Sequence, residues 1–146
     1  DLSLERAREL AALCGGNIGR MLEELEGGTS AQAFSIAQAM ALAVTDPREE
    51  GLLLAAAPLQ KDRELFREVL SRLGLIFRDA CVLRAGGKAV LGGASQAADR
   101  LSALPRKQLM ALPPLAEEYR QKLERNANMA LLTTDLCVRL REAAGR

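Results

Sequence analysis

Three features of the sequence predict an all-α fold. Of 146 residues, 27 are Leu and 25 are Ala, so 52 positions hold strong helix formers. The residues that build sheet cores are scarce: five Val, three Ile and four aromatics. Glycine and proline fall as punctuation, with Gly pairs at 15–16, 27–28, 86–87 and 92–93 and Pro at 47, 58, 105, 113 and 114. Each of these sites reads as a helix end or start. The length suits one domain, or one domain with a fragment of its neighbour, at about 100–200 residues per domain.

The first 28 residues read as two short helices. Ser3 caps the run from Leu4 to Cys14, with Leu10, Leu13 and Cys14 at helical spacing, and Gly15-Gly16 stops it. Asn17 caps a second helix, Ile18 to Glu26, with Ile18, Met21, Leu22 and Leu25 on one face. Gly27-Gly28 ends that one.

Thr29 or Ser30 opens the next helix, whose apolar side is Ala33, Phe34, Ala37, Met40, Ala41 and Val44. Asp46-Pro47-Arg48-Glu49-Glu50 is a restart signal: Asp46 as cap, Pro47 at the first helical position, and two Glu at the positive end of the helix dipole. That helix is expected to run to about Ala57, where Pro58 interrupts it.

Residues Asp62 to Ala85 carry the strongest helical signal. Phe66, Val69, Leu70, Leu73, Ile76, Phe77, Ala80 and Cys81 repeat at spacings of three and four. At 1.5 Å per residue the helix would be about 35 Å long, the length of a central strut. Glu68 and Arg72 form an i,i+4 pair, and Asp79, set within the apolar stripe, is expected to be partly buried and to need a partner such as an Arg. Gly86-Gly87 closes the helix. Beyond it, Ser95 caps a short helix through Leu101, and Pro105 starts another that Pro113-Pro114 must bend or break. Leu115, Tyr119 and Leu123 stripe the following helix. Asn126-Ala127-Asn128 is a stop and restart, and Met129 to Ala143 packs through Leu132, Leu136 and Leu140. The architecture expected is a bundle of about five helices at 29–146, preceded by a two-helix remnant at 1–28.

Composition narrows the chemistry. Without His there is no His-paired nucleophile, His general base or His-ligated metal. Cys14, Cys81 and Cys137 lie far apart in apolar stretches and cannot fill a four-ligand zinc site unaided. An odd count of such thiols suggests core residues in a reducing compartment, hence a cytoplasmic protein. No apolar run approaches the ~18 residues of a membrane span. The chain starts at Asp1 without Met and is read as a piece of a longer protein.

Charge is nearly balanced, 20 Lys plus Arg against 19 Asp plus Glu, but it is graded along the chain. Residues 1–28 carry three bases and six acids, 29–85 seven of each, and 86–146 ten bases and six acids. Gly86-Gly87-Lys88 resembles the end of a phosphate loop, yet Val82 and Ala89 occupy positions where that motif needs Gly and Ser or Thr. It reads as a helix stop. The acidic pairs Glu23-Glu24, Glu49-Glu50 and Glu117-Glu118 point about 100° apart on a helix and read as solvated faces. Arg63, Arg67, Arg78, Arg84 and Arg100 lack the aromatic interleaving of a nucleic-acid surface, and solubility or subunit contacts account for them better. No catalytic, cofactor-binding or metal-ligating residue is expected.

Residues 7–25, Ala-Arg-Glu-Leu-Ala-Ala-Leu-Cys-Gly-Gly-Asn-Ile-Gly-Arg-Met-Leu-Glu-Glu-Leu, resemble the end of the helical lid in clamp-loader AAA+ modules. Within that family they look like the delta-prime subunits of bacterial DNA polymerase III, which commonly read Gly-Gly-x-x-Gly-Arg-Ala-Leu there. Phe77-Arg78-Asp79-Ala80-Cys81-Val82-Leu83-Arg84-Ala85-Gly86 is similar to the family's long C-terminal-domain helix. So is Leu123-Glu124-Arg125-Asn126-Ala127-Asn128 with the Leu-rich helix after it, and the resemblance covers nearly the whole chain.

The resemblance implies a lid remnant at 1–28 and an all-helical collar, or oligomerisation, domain at 29–146. Such collars pack the gamma/tau, delta and delta-prime subunits into a pentamer that loads the sliding clamp in DNA replication. The partners implied are the gamma/tau and delta subunits, with DNA met only indirectly through the complex and no membrane. ATP-binding relatives carry a sensor arginine at this junction, in Gly-Ser-x-Arg-Asp-Ala-Leu. Here the aligned position is Gly19, with Arg20 one later, which suits a subunit that does not hydrolyse ATP. No enzymatic activity is expected of the chain itself, although the parent complex is a DNA-dependent ATPase. Val82, Leu83, Val90 and Leu91 are candidate contacts to a neighbouring subunit. The alternatives are the matching region of gamma/tau and an all-α nucleic-acid-binding module.

Overall fold

A computed structural model of the chain describes residues 29–88, 93–125 and 128–146. The helices expected at 4–26, the candidate contacts Val90 and Leu91, and Asn126-Ala127 lie outside the described residues. Four long helices carry the bundle: α1 (Thr29–Ala43), α3 (Arg63–Arg84), α6 (Leu112–Arg125) and α7 (Met129–Ala143). Three short ones join them: α2 (Glu50–Ala56), α4 (Ser95–Leu101) and α5 (Arg106–Met110), with a 3-10 segment at Ala57–Lys61. The described residues contain no strand, so the fold is all-α as the composition predicts.

Helix α3 forms because its signals agree. Asp62, in an extended conformation, caps it by accepting a hydrogen bond from the Leu65 N–H at 3.1 Å. Phe66, Val69, Leu70, Leu73, Ile76, Phe77 and Ala80 are all fully buried, as their spacing predicts, whereas Cys81 is only half-buried. The far end closes through glycine. Gly86 takes φ +90° and its N–H returns to the Leu83 carbonyl at 3.0 Å, while Gly87 N–H reaches Val82 O at 2.9 Å. These are the paired bonds of a glycine-terminated helix end.

Around this strut α1 and α6 pack along its length, with α4, α5 and the 3-10 segment completing the layer and α7 lying on α6, α2 and the 3-10 segment. One hydrophobic core runs through all the helices. Helix α1 is buried over a wide arc, Ala33, Phe34, Ile36, Ala37, Met40 and Ala41, because α3, α2 and α4 surround it. Small residues let the axes approach: a Cβ on Gly74 of α3 would stand 3.7 Å from Ala116 Cβ of α6. The stripes Leu115, Tyr119, Leu123 and Leu132, Leu136, Leu140 are buried as predicted. Asn128 caps α7 through the Leu131 N–H at 3.0 Å.

Three local expectations are corrected, and a fourth holds with a change of helix type. The restart after α1 falls later than Asp46-Pro47: Asp46 accepts from Arg48 N–H at 2.9 Å in a tight turn, and α2 begins only at Glu50. The α-helix expected to run to about Ala57 does end at Ala56, with Ala57 as its cap, and across Pro58 the chain continues as a 3-10 segment. Ala94, not Ser95, holds the cap position of α4, and Ser95 is its first helical residue. The break expected at Pro113-Pro114 falls at Ala111, and the two prolines sit in the first turn of α6, where a missing N–H costs nothing.

Replacing Phe77 by Ala is expected to cost about 3–5 kcal/mol, because the ring is fully buried in the central strut. Val82→Ala, one turn on but 38 % exposed, should change stability by less than about 0.5 kcal/mol. Urea unfolding followed by circular dichroism compares the two.

Candidate functional site

The residues that carry chemistry do not gather. Among the described residues no three of Cys, Asp or Glu lie within reach of one metal ion. The Gly86-Gly87 amides, which a phosphate loop would aim at an anion, are spent on the carbonyls of Leu83 and Val82. The helix-stop reading of that tripeptide follows from this geometry.

The arginines examined as a nucleic-acid surface are divided. Arg63 donates to the Leu123 carbonyl near the end of α6, and Arg84 to the Ser102 carbonyl at 3.3 Å. Arg67 bridges Glu64 and Glu124, and its hydrogen bond to Glu124 raises its pKa and holds the Glu124 carboxyl below the usual range. Arg78 and Arg100 are exposed. Glu117 pairs with Arg120 at 3.1 Å, and Glu118 turns away to α7, so the Glu117-Glu118 pair does not converge on one point.

Two charged residues sit inside the bundle. Asp79 is 1 % exposed, more deeply buried than expected, and Arg72 is 3 % exposed with Glu68 at 3.1 Å. The Glu68–Arg72 pair therefore has one end in the core and is not the surface pair its spacing suggests.

A polar seam fastens α6 to α7. The phenol of buried Tyr119 donates to Asp135, and Arg139 Nη1 stands 3.5 Å from the same phenol oxygen. Lys122 lies 4.7 Å from the Tyr119 ring centre, in cation–π range, and 3.0 Å from Glu118, which also receives Arg139 at 3.0 Å. Burial pushes the phenol well above its ordinary range, and the Asp135 carboxylate adds to that. Hydrogen bonds from Lys122 and then Arg139 hold the Glu118 carboxyl low. Sequence reasoning marked Tyr119 as core but missed Asp135; the only sign was a lone Tyr on one apolar stripe and a carboxylate beside the next.

The remaining candidates are apolar side chains left in solvent: Leu53, Leu54, Val82, Met110, Leu131 and Val138. Of the predicted partner contacts Val82 is exposed, but Leu83 is half-buried and packs on the core, because it lies on the flank of α3 adjoining the buried stripe. Leu53, Leu131 and Val138 escaped the sequence reading, since each lies one position beside a buried leucine or cysteine, and Leu54 stands in the same leucine run.

Compared with protein-family models, with curated proteins and with solved structures, the chain matches none. No helix among the described residues is long and apolar enough to cross a membrane.

Tyr119→Phe is expected to cost about 1.5 kcal/mol in urea unfolding with helix content unchanged, since it removes one hydrogen bond to a half-buried carboxylate. Burial lifts the Cys137 thiol up to about 11, from an ordinary 9.0. A raised thiol keeps its proton longer in the folded state, so its contribution to stability is complete below pH 9 and lost as pH rises through 11. Cys137→Ala should flatten that alkaline fall in a pH series of thermal melts.

Proposed function

We propose that the chain is a subunit-assembly domain of the bacterial DNA polymerase III clamp loader, the collar region of a delta-prime subunit with the tail of its lid at 1–28. The observation that carries this reading is sequential: the lid-like stretch at 7–25, the Phe77–Gly86 helix and the Leu123–Asn128 junction occur in the family's order. The exposed Leu53, Leu54, Val82, Met110, Leu131 and Val138 are consistent with it, since they leave apolar surface for neighbouring subunits. The function is structural: the domain holds its place in a pentameric collar with gamma/tau and delta, while other parts of the complex bind ATP and open the clamp. Such work belongs in the cytoplasm and needs no catalytic residue.

The test is co-purification of the full-length parent with the gamma/tau and delta subunits. Recovery of both is expected, and recovery of neither would end the assignment. A degenerate phosphate loop upstream separates delta-prime from gamma/tau, which should carry an intact one. Direct DNA binding by the chain would instead appear as a salt-sensitive gel shift; none is expected at low salt.

A further inference from the structure

One end of the bundle is basic and unpaired. Between Ala80 and Ala111 the sequence holds five bases, Arg84, Lys88, Arg100, Arg106 and Lys107, against one acid, Asp99, and all six are exposed. Contacts between the helices bring them to one pole. Arg84 Nη1 donates to the Ser102 carbonyl at 3.3 Å, which sets the last turn of α3 against the end of α4, between Arg100 and Arg106 in the chain. Cys81 Sγ lies 4.0 Å from the Leu109 carbonyl, so α5 flanks the same stretch of α3. Lys88 follows the glycine turn whose Gly87 N–H folds back to Val82 O at 2.9 Å.

The fold leaves that charge unused. Among the described residues none of the five bases joins an ion pair, and Lys88, Arg100 and Lys107 have no side-chain hydrogen bond either. Neighbouring elements do not cancel it. Helix α1, which packs on α4, carries no charged residue. From α7, Gly145 lies against the Gln108 amide and brings Glu142 and Arg146, one acid and one base, to the flank of α5. Glu117, which lines a groove with Arg78, is engaged by Arg120 at 3.1 Å.

The surroundings favour a protein over a nucleic acid as the counterpart. All four aromatic side chains are buried, so no ring is free to stack on a base. Met110 is 53 % exposed beside Arg106, whose Nε stands 3.4 Å from its sulfur. A thioether among guanidiniums suits a polypeptide, which offers apolar side chains between its carboxylates, better than a phosphate backbone.

We infer that this pole, formed by the ends of α3 and α4 and by α5, seats an acidic segment of a neighbouring subunit, rich in Asp and Glu. Complementary charge steers the two subunits together and fixes which end of the bundle meets the partner. The inference rests on the assembly reading above and assigns it a surface.

The experiment uses the whole chain with purified gamma/tau and delta subunits, at low and at physiological salt. Arg100→Glu with Lys107→Glu is expected to weaken association about tenfold or more at low salt and to remove most of its salt dependence. Arg100→Gln with Lys107→Gln should move both readouts the same way, by less. Lys61→Glu with Arg125→Glu makes the same change of charge at the other end of α3, about 30 Å away, where Arg63 meets Leu123. That variant should bind as the unsubstituted chain does. All four positions are exposed, and circular dichroism with thermal melting checks that each variant keeps its fold. Equal weakening by the two Glu pairs would mean that total charge governs association, and overturns the inference. Duplex DNA retained by the unsubstituted chain and lost by the Arg100, Lys107 variant overturns it too, since the pole would then be a nucleic-acid surface. If the unsubstituted chain binds and the Arg100, Lys107 variant binds equally well, the surface is wrong and the assembly reading stands. If the unsubstituted chain binds neither subunit, both fall.

Discussion

Everything in this bundle depends on the burial of one face of α3. Fully burying a large apolar side chain stabilises a fold by about 1.5–3 kcal/mol, and α3 buries Phe66, Val69, Leu70, Leu73, Ile76 and Phe77 in a single row. Neither α1 nor α6 could hold its own buried face out of water without that row. Short helices α4 and α5, too brief to be stable alone, persist because they close over it. The low β-branched content follows from the same need: Ala, Gly and Leu allow helices to lie close along a long central axis.

The charged residues do a second job, joining elements distant in sequence. Arg63 reaches from the start of α3 to a carbonyl near the end of α6, and Arg141 reaches from α7 to the turn before α2. Carbonyls at helix ends and in turns lack intrahelical partners, and a guanidinium satisfies several at once. Arg139 and Lys122 gather on Glu118 and the Tyr119 ring in the same spirit. Of the ten bases at 86–146, Arg120, Lys122, Arg139 and Arg141 are engaged within the molecule in this way.

What the sequence disclosed was local. The Asn128 cap, the Gly86 stop and the α3, α6 and α7 stripes depend on residues within one or two turns, and the structure agrees with each. The turn at Asp46 was misjudged because its shape is held by Arg141, 95 residues away, which no local pattern reveals. The burial of Arg72 is equally hidden, because its i,i+4 spacing to Glu68 names a partner and nothing nearby signals that neighbouring helices close over it. Leu54 and Val138 are hidden for the converse reason. A leucine on a Leu-rich helix looks like core until the packing of its neighbours leaves it outside.

The tie between Arg141 and the turn at 46–48 has a consequence for the order of assembly. Closing a loop of that length costs roughly 4 kcal/mol of chain entropy, so the seating of α7 on the turn before α2 is among the most non-local contacts of the fold. During synthesis the turn and α2 leave the ribosome long before α7 exists to lie beside them. The tie that fixes the turn at 46–48 is therefore absent from every nascent chain that ends before Arg141.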